Sequence, residues 1–95
     1  MSRPTAVQKR LWGKIFRVGC MACHKEGVFS FPEIHHTKDY GKNDNSRVYG
    51  LCPIHHRPTA AVKGVLNRHG NPLDFAEKYG TDSELFHECM ELIEL

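Results

Sequence analysis

Two pairs of side chains in this sequence have the spacing of metal ligands. Cys20 and Cys23 form one pair, with two residues between them. Cys52 and His55 repeat that spacing further along the chain. Two intervening residues let both side chains of a pair turn onto one ion, and thiolate with imidazole favours Zn²⁺. We therefore predict a structural zinc site at these four residues, with His56 as an alternative to His55 for the fourth ligand.

The remaining histidines suit a second kind of chemistry. Hydrolysis of a phosphodiester needs a cation to neutralise the phosphate and a base to activate water, and imidazole can serve either need near neutral pH. We predict that His35, His36 and His56 surround one phosphate, with His69 as a further candidate ligand. Neighbours on a regular strand point to opposite faces, so His35 and His36 meet only where the strand end is twisted or irregular.

A competing interpretation concerns the segment Cys20–His24, which matches the CxxCH pattern of haem attachment. Haem attachment of this kind requires export. Residues 1–5 lead into charged residues without an apolar core, which argues against a secretory signal. Haem attachment at this segment would also not explain the metal-ligand spacing of Cys52 and His55. We therefore expect a cytoplasmic protein with reduced thiols that bind metal.

The charge distribution is uneven along the 95 residues, which we expect to form one small domain over 1–95. Residues 1–70 carry twelve Lys and Arg against four Asp and Glu, a net charge of +8. Residues 71–95 carry one Lys against seven Asp and Glu, a net charge of −6. A basic body favours a polyanion such as DNA, although ordinary solvated helix faces give the same pattern. No apolar run reaches the roughly 18 residues of a membrane span, so we expect no membrane partner.

The central part of the chain predicts the order strand, loop, strand and helix. Residues 20–33 predict an irregular knuckle and loop, with a strand at residues 33–36. A polar loop over residues 37–46 precedes a second strand at residues 47–51. Pro53 suits the first turn of a short helix that carries the adjacent histidines.

Helices flank this centre. The first is predicted from Pro4 to about Arg17 and is ended by Gly19. A second helix is predicted from residue 72 to residue 79. The capping box at residues 81–84 begins a last helix that we expect to reach about Leu95. The sequence therefore predicts an α+β fold stapled by zinc.

Three side chains on these helices are predicted to lie in the hydrophobic core. Trp12 and Phe16 lie one helical turn apart, and we predict both for the core rather than for stacking on a ligand. Cys89, on the last helix, is predicted to be a small core residue and not a zinc ligand.

The order of these motifs resembles the HNH, or ββα-metal, nuclease superfamily. More narrowly, the chain is similar to the phage Ref family of recombination enhancement nucleases, whose cutting depends on RecA filaments. The similarity covers about residues 11–85. The segments that carry it are Gly19–Cys23, Glu33–His36, Leu51–Arg57, His69 and Lys78–Thr81.

The resemblance implies a phage-encoded DNA endonuclease with a small ββα-metal core and a catalytic Mg²⁺, Mn²⁺ or Zn²⁺ ion beside the structural zinc. His36 occupies the position of the family's general base. His35 and His56 occupy ligand positions for the catalytic metal, and His69 is a weaker candidate ligand or phosphate contact. Asn45 lies near the family's middle Asn or His. The implied partners are DNA and RecA filaments, with no small-molecule substrate.

Basic residues flank these histidines and are candidates for holding the DNA backbone: Lys38, Lys42, Arg47 and Arg57. Phosphate contacts carry no sequence code, so we expect little base specificity. Two other classes of protein fit the same residues. One is a non-catalytic zinc module that binds DNA or a protein, and the other is a purely structural or regulatory zinc protein that shows no salt-dependent DNA binding.

Overall fold

A two-stranded antiparallel sheet lies at the centre of the computed structural model, which describes residues 3–38 and 44–94. Strand β1 (Glu33–His36) pairs with strand β2 (Val48–Leu51). All four residues of β2 are buried, whereas β1 buries only His35 completely. Both predicted strands are confirmed, and the second begins one residue later than expected.

Helix α1 (Ala6–Val18) begins later than predicted, at Ala6 rather than at Pro4. The reason is a capping box, in which the Thr5 hydroxyl accepts from the Gln8 amide and the Gln8 side chain accepts from the Thr5 amide. Gly19 ends the helix as predicted, with a φ of 87° that a residue without a Cβ adopts at little cost.

Two short helices carry the ligand pairs: the one after Pro53 was predicted, whereas the other lies in the stretch 20–33 that was expected to be irregular. Helix α2 (Met21–Lys25) follows Cys20, whose sulfur accepts from the Cys23 amide at 3.4 Å. Helix α3 (Pro53–His56) follows Cys52 directly after β2. Each pair therefore spans the first turn of a helix, where residues three apart lie on one face.

The C-terminal part forms two further helices, α4 (Pro72–Tyr79) and α5 (Asp82–Glu94). The predicted capping box is confirmed by two reciprocal bonds: the Thr81 amide donates to the Glu84 carboxylate at 2.9 Å, and the Glu84 amide donates to the Thr81 hydroxyl at 3.2 Å. A 3₁₀ turn at Pro58–Ala60 occupies part of the stretch between α3 and α4.

The core lies where α1, α2 and α5 pack on β2. Its largest fully buried apolar side chains are Tyr49, Phe75, Ile15, Met21, Leu51 and Leu85. Cys89 is buried with them, as predicted, whereas Phe16 is 44% exposed and does not belong to the core. This mixed arrangement of helices around a small sheet confirms the predicted α+β class. Within residues 3–38 and 44–94, no helix has the length and apolar character needed to cross a membrane.

Candidate functional site

The four predicted zinc ligands meet in one buried cluster. Cys20 and Cys23 come from the start of α2, and Cys52 and His55 come from the start of α3. The Nδ1 atom of His55 lies 3.2 Å, 3.5 Å and 3.7 Å from the sulfurs of Cys52, Cys23 and Cys20. The sulfurs of Cys23 and Cys52 are 3.9 Å apart. The cluster includes His55, and His56 belongs to a different one.

The dimensions of this cluster suit zinc. Tetrahedral Zn²⁺ with ordinary bond lengths separates two sulfurs by roughly 3.8 Å, and a sulfur from a nitrogen by roughly 3.5 Å. Burial raises the pKa of Cys20 to about 12, so without a cation this thiol is protonated at neutral pH. Zinc uptake therefore releases protons from the cluster. A closed set of three thiolates and one imidazole suits a structural ion.

Three other histidines form the second cluster. His35 comes from β1, His56 from the end of α3, and His69 from the stretch before α4. The ring centre of His35 is 5.1 Å from each of the other two, which are 4.8 Å apart. Each offers a nitrogen within 4.8 Å of the others, which is close enough for one ion. His69, the weakest of the predicted ligands, is therefore a full member of this group, which we call the histidine triad.

The triad is uncharged at neutral pH. Loss of hydration on burial lowers the pKa of His35 and of His56. The pKa of His69 falls to about 4, first through loss of hydration and then because a proton on His35 or His56 would repel one on His69. Neutral imidazoles keep the lone pairs that a metal ion requires.

Tertiary contacts anchor each member of the triad. The ring of His35 packs 5.1 Å from that of Tyr49, its partner across the sheet. The amide of Arg68 donates to the carbonyl of His55 at 2.7 Å, and this bond ties the stretch that carries His69 to α3. A strand, a helix and a loop thus hold three rings around one point.

Asp82 is a buried carboxylate that sequence reasoning missed. It accepts hydrogen bonds from His35 Nε2 at 3.1 Å, from the Tyr49 hydroxyl at 2.8 Å and from the Lys38 amide at 2.9 Å. Two nitrogens of Arg68 also donate to it, at 3.0 Å and 3.1 Å. Burial alone would raise the pKa of Asp82, but the bonds from His35 and Arg68 outweigh burial and lower it. Acidic residues are common in the first turn of a helix, because they interact favourably with the helix dipole. The position of Asp82 in the sequence therefore did not indicate this role.

Glu33 is a second carboxylate beside the triad. Its Oε1 atom accepts from His56 Nδ1 at 2.8 Å and from Arg57 Nε at 2.8 Å. Its Oε2 atom forms an ion pair with another nitrogen of the Arg57 guanidinium. Arg57, which the sequence predicted as a phosphate contact, is therefore engaged with a site carboxylate.

His36, the predicted general base, follows His35 on β1 and has different contacts. Its Nε2 atom lies 2.9 Å from the side-chain oxygen of Asn45. The Trp12 indole donates to the Asn45 carbonyl at 2.9 Å, and its ring meets the His36 ring edge-on with centres 6.1 Å apart. A proton on His36 would lower the pKa of His56, after burial and Lys38, because the two rings lie close together. The expected convergence of His35, His36 and His56 therefore takes a different form, in which His69 completes the cluster and His36 lies beside it.

The predicted phosphate contacts have different surroundings. Lys38 is exposed, and its charge helps to lower the pKa of both His56 and His69. The guanidinium of Arg47 lies 4.4 Å from the centre of the Phe86 ring. Lys42 lies outside the described residues. Of the described candidates, Lys38 combines exposure with closeness to the triad.

A comparison with protein families identifies the family of this chain. The model of the family described as "recombination enhancement, RecA-dependent nuclease" matches residues 4–94. The chain belongs to this family. A comparison with curated proteins gives no match. Family membership indicates a nuclease that acts in recombination, with DNA and RecA-related machinery as its partners.

Replacement of Lys38 tests directly whether this residue contacts a DNA phosphate. We expect Lys38→Ala to weaken DNA binding about equally for all sequences, because a phosphate contact carries no base information. The slope of log affinity against log salt should fall in magnitude by about one. Fluorescence anisotropy with labelled DNA over a salt series measures both effects. Lys63→Ala, which removes another exposed lysine, is the control. Equal slopes for Lys38→Ala and the unaltered protein would remove Lys38 as a phosphate contact.

Proposed function

We propose that the protein is a metal-dependent DNA endonuclease of the HNH type that hydrolyses phosphodiester bonds. The observation that supports this most directly is the meeting of three neutral imidazoles from separate elements, outside the zinc cluster. A structural zinc protein needs no second cluster of this kind. The family match to RecA-dependent nucleases independently supports the nuclease part of this proposal.

The histidine triad would hold the catalytic ion through His35, His56 and His69. When bound there, a divalent cation neutralises the scissile phosphate and the departing oxygen. Imidazoles accept several divalent ions, and Mg²⁺, Mn²⁺ and Zn²⁺ are the candidates. The exposure of His69 leaves one side of the triad open, which a DNA phosphate needs in order to reach it.

His36 would act as the general base. A side-chain amide oxygen can only accept, so the bond to Asn45 requires the proton of His36 on Nε2. Nδ1 then carries the lone pair that takes a proton from water for in-line attack. Trp12 restrains the position of Asn45, and through it the orientation of His36.

The substrate would be DNA presented with a RecA filament in the cytoplasm of a phage-infected host cell. Lys38 would contact a backbone phosphate beside the triad, and Arg57 would do so only by sharing its guanidinium with Glu33. Little base specificity follows from contacts of this type. The whole chain, 1–95, would act as one domain.

A cleavage assay tests this proposal. Purified protein is incubated with plasmid and single-stranded DNA, with and without RecA filaments, in Mg²⁺, Mn²⁺ or Zn²⁺. We expect nicking that requires one of these ions. DNA binding without cleavage under every condition, RecA filaments included, would instead establish a non-catalytic zinc module.

His69 provides a matched variant for that assay. We expect His69→Ala to reduce cutting at limiting metal by at least the roughly 10- to 100-fold that loss of a group supporting a ligand costs, and to recover in part at high metal, because the other two imidazoles remain. The control is His24→Ala, since His24 is also exposed and lies outside the triad. Equal loss in both variants would mean that His69 has no specific role.

A further inference from the structure

We propose that Glu33 and Asp82 are positioning residues that select opposite tautomers of two triad histidines. His56 is held with its proton on Nδ1 and offers Nε2 to the cation, whereas His35 is held with its proton on Nε2 and offers Nδ1. This inference rests on the metal site of the proposed function. It adds the ligand atoms and the residues that choose them.

The evidence at His56 is a single short bond. Its Nδ1 atom lies 2.8 Å from Glu33 Oε1, and an ionised carboxylate can only accept. Nδ1 must therefore carry the proton, which leaves the lone pair on Nε2. A neutral histidine in water favours the tautomer with its proton on Nε2, so the contact with Glu33 selects the less populated form.

At His35 the same logic gives the opposite result. Its Nε2 atom lies 3.1 Å from Asp82 Oδ1, so Nε2 carries the proton and Nδ1 is left for the cation. The ring is only 1% exposed, so water does not compete well for this bond. Packing against Tyr49, which donates to the same carboxylate, restricts the ring further.

Each of the two carboxylates is also held by an arginine. Arg68 donates twice to Asp82, and Arg57 contacts both oxygens of Glu33. A guanidinium remains charged at all ordinary pH values, so it keeps its partner ionised and able only to accept. It also engages carboxylate oxygens that could otherwise turn towards the cation.

A carboxylate that orients a ligating histidine changes the affinity of the site for metal, although the carboxylate does not contact the metal. A carboxylate that accepts from a ligating histidine raises the basicity of the ring and prevents its rotation, and removal of such a partner typically costs about 10- to 100-fold in affinity. The Glu33 contact is the better one to test. Glu33 is partly exposed, whereas Asp82 is a buried carboxylate with several partners whose loss endangers folding.

The test uses zinc-loaded full-length protein with ¹⁵N-labelled histidine and Glu33→Ala. Imidazole ¹⁵N shifts, recorded without a second metal, report which nitrogen of each ring is protonated. We expect His56 to carry its proton on Nδ1 in the unaltered protein and to move to the Nε2-protonated form in the variant, with His35 unchanged. Glu88→Ala is the control, because it removes a partly exposed carboxylate that is paired with Lys25.

Asp82→Asn, checked for folding by circular dichroism, extends the test to the second contact. An amide at this position can donate as well as accept, so we expect His35 to become a mixture of tautomers. The same tautomers in Glu33→Ala as in the unaltered protein would overturn the proposal.

Co²⁺ binding is the second readout. Protein prepared with one zinc ion per chain is titrated with Co²⁺, which binds such ligands less tightly than Zn²⁺ and so leaves the cysteine cluster loaded with zinc. We expect Glu33→Ala to weaken Co²⁺ binding about 10- to 100-fold relative to Glu88→Ala. If Glu33→Ala binds Co²⁺ as tightly as the control does, the positioning role is wrong. If the unaltered protein takes up no Co²⁺, the metal site of the proposed function is wrong, and the tautomer measurement still decides the role of the carboxylates.

Discussion

Replacement of His36 by alanine is expected to lower DNA cleavage by about 10²- to 10⁴-fold, which is the usual contribution of a positioned general base. The reason is that the contact of His36 Nε2 with Asn45 leaves the lone pair on Nδ1, which in the proposed mechanism takes the proton from water. The triad does not include His36, and therefore metal affinity should change little. A large loss of rate with unaltered metal binding separates a base from a ligand.

The measurement is the single-turnover rate of nicking at saturating metal, with RecA filaments where cutting requires them. Zinc content by atomic absorption should stay normal, since His36 lies outside the cysteine cluster. His87→Ala is the control, because the His87 ring is bonded to the Ser83 carbonyl within α5. Cleavage by His36→Ala at the rate of the control would show that another group activates water.

Loss of the structural zinc is expected to unfold the protein. The cysteine cluster joins α2 to α3, and α3 carries His56 directly after the ligand His55. Zinc contributes about 10 to 16 kcal/mol to the folding of small zinc-dependent peptides at neutral pH, which is as large as the whole stability of an ordinary domain, about 5 to 15 kcal/mol. We therefore expect Cys52→Ser, or chelation of the unaltered protein, to abolish cooperative thermal unfolding.

Circular dichroism and a colorimetric zinc assay measure this effect. The matched control is Cys89→Ala, because Cys89 is fully buried but lies outside the cluster. This control should retain zinc and lose only the roughly 1 kcal/mol that a small core change costs. A zinc-free protein that melts at the same temperature as the zinc-loaded form would contradict a stabilising role for the ion.

Removal of zinc and replacement of His36 are expected to have different effects on folding and on cleavage. Because the triad depends on α3 for His56, removal of zinc should eliminate DNA cleavage together with the fold. Removal of the His36 imidazole should eliminate cleavage alone. The two variants therefore separate the stability of the site from its chemistry.

Several features were predictable from local sequence because a local physical rule determines them. Spacing of two residues placed the zinc ligands, since one helical turn brings such residues to the same face. The capping box at Thr81 and the terminating Gly19 set helix ends through bonds between near neighbours in the chain. Local rules also failed in places: Phe16 has the helical spacing of a core residue, yet the elements around α1 leave it 44% exposed.

The amino-acid sequence by itself indicated the nuclease family and predicted the four residues that form the cysteine cluster, because residue type and short spacing specify these. The tertiary structure brought His69, which the sequence indicated only as a weaker candidate ligand, into one group with His35 and His56. It alone decided that Asp82 and Glu33 hold the rings of His35 and His56. These relationships join residues 34 apart, 47 apart and 23 apart in the chain, and no local pattern encodes them. They arise when burial of the core brings α3, α5 and the sheet together.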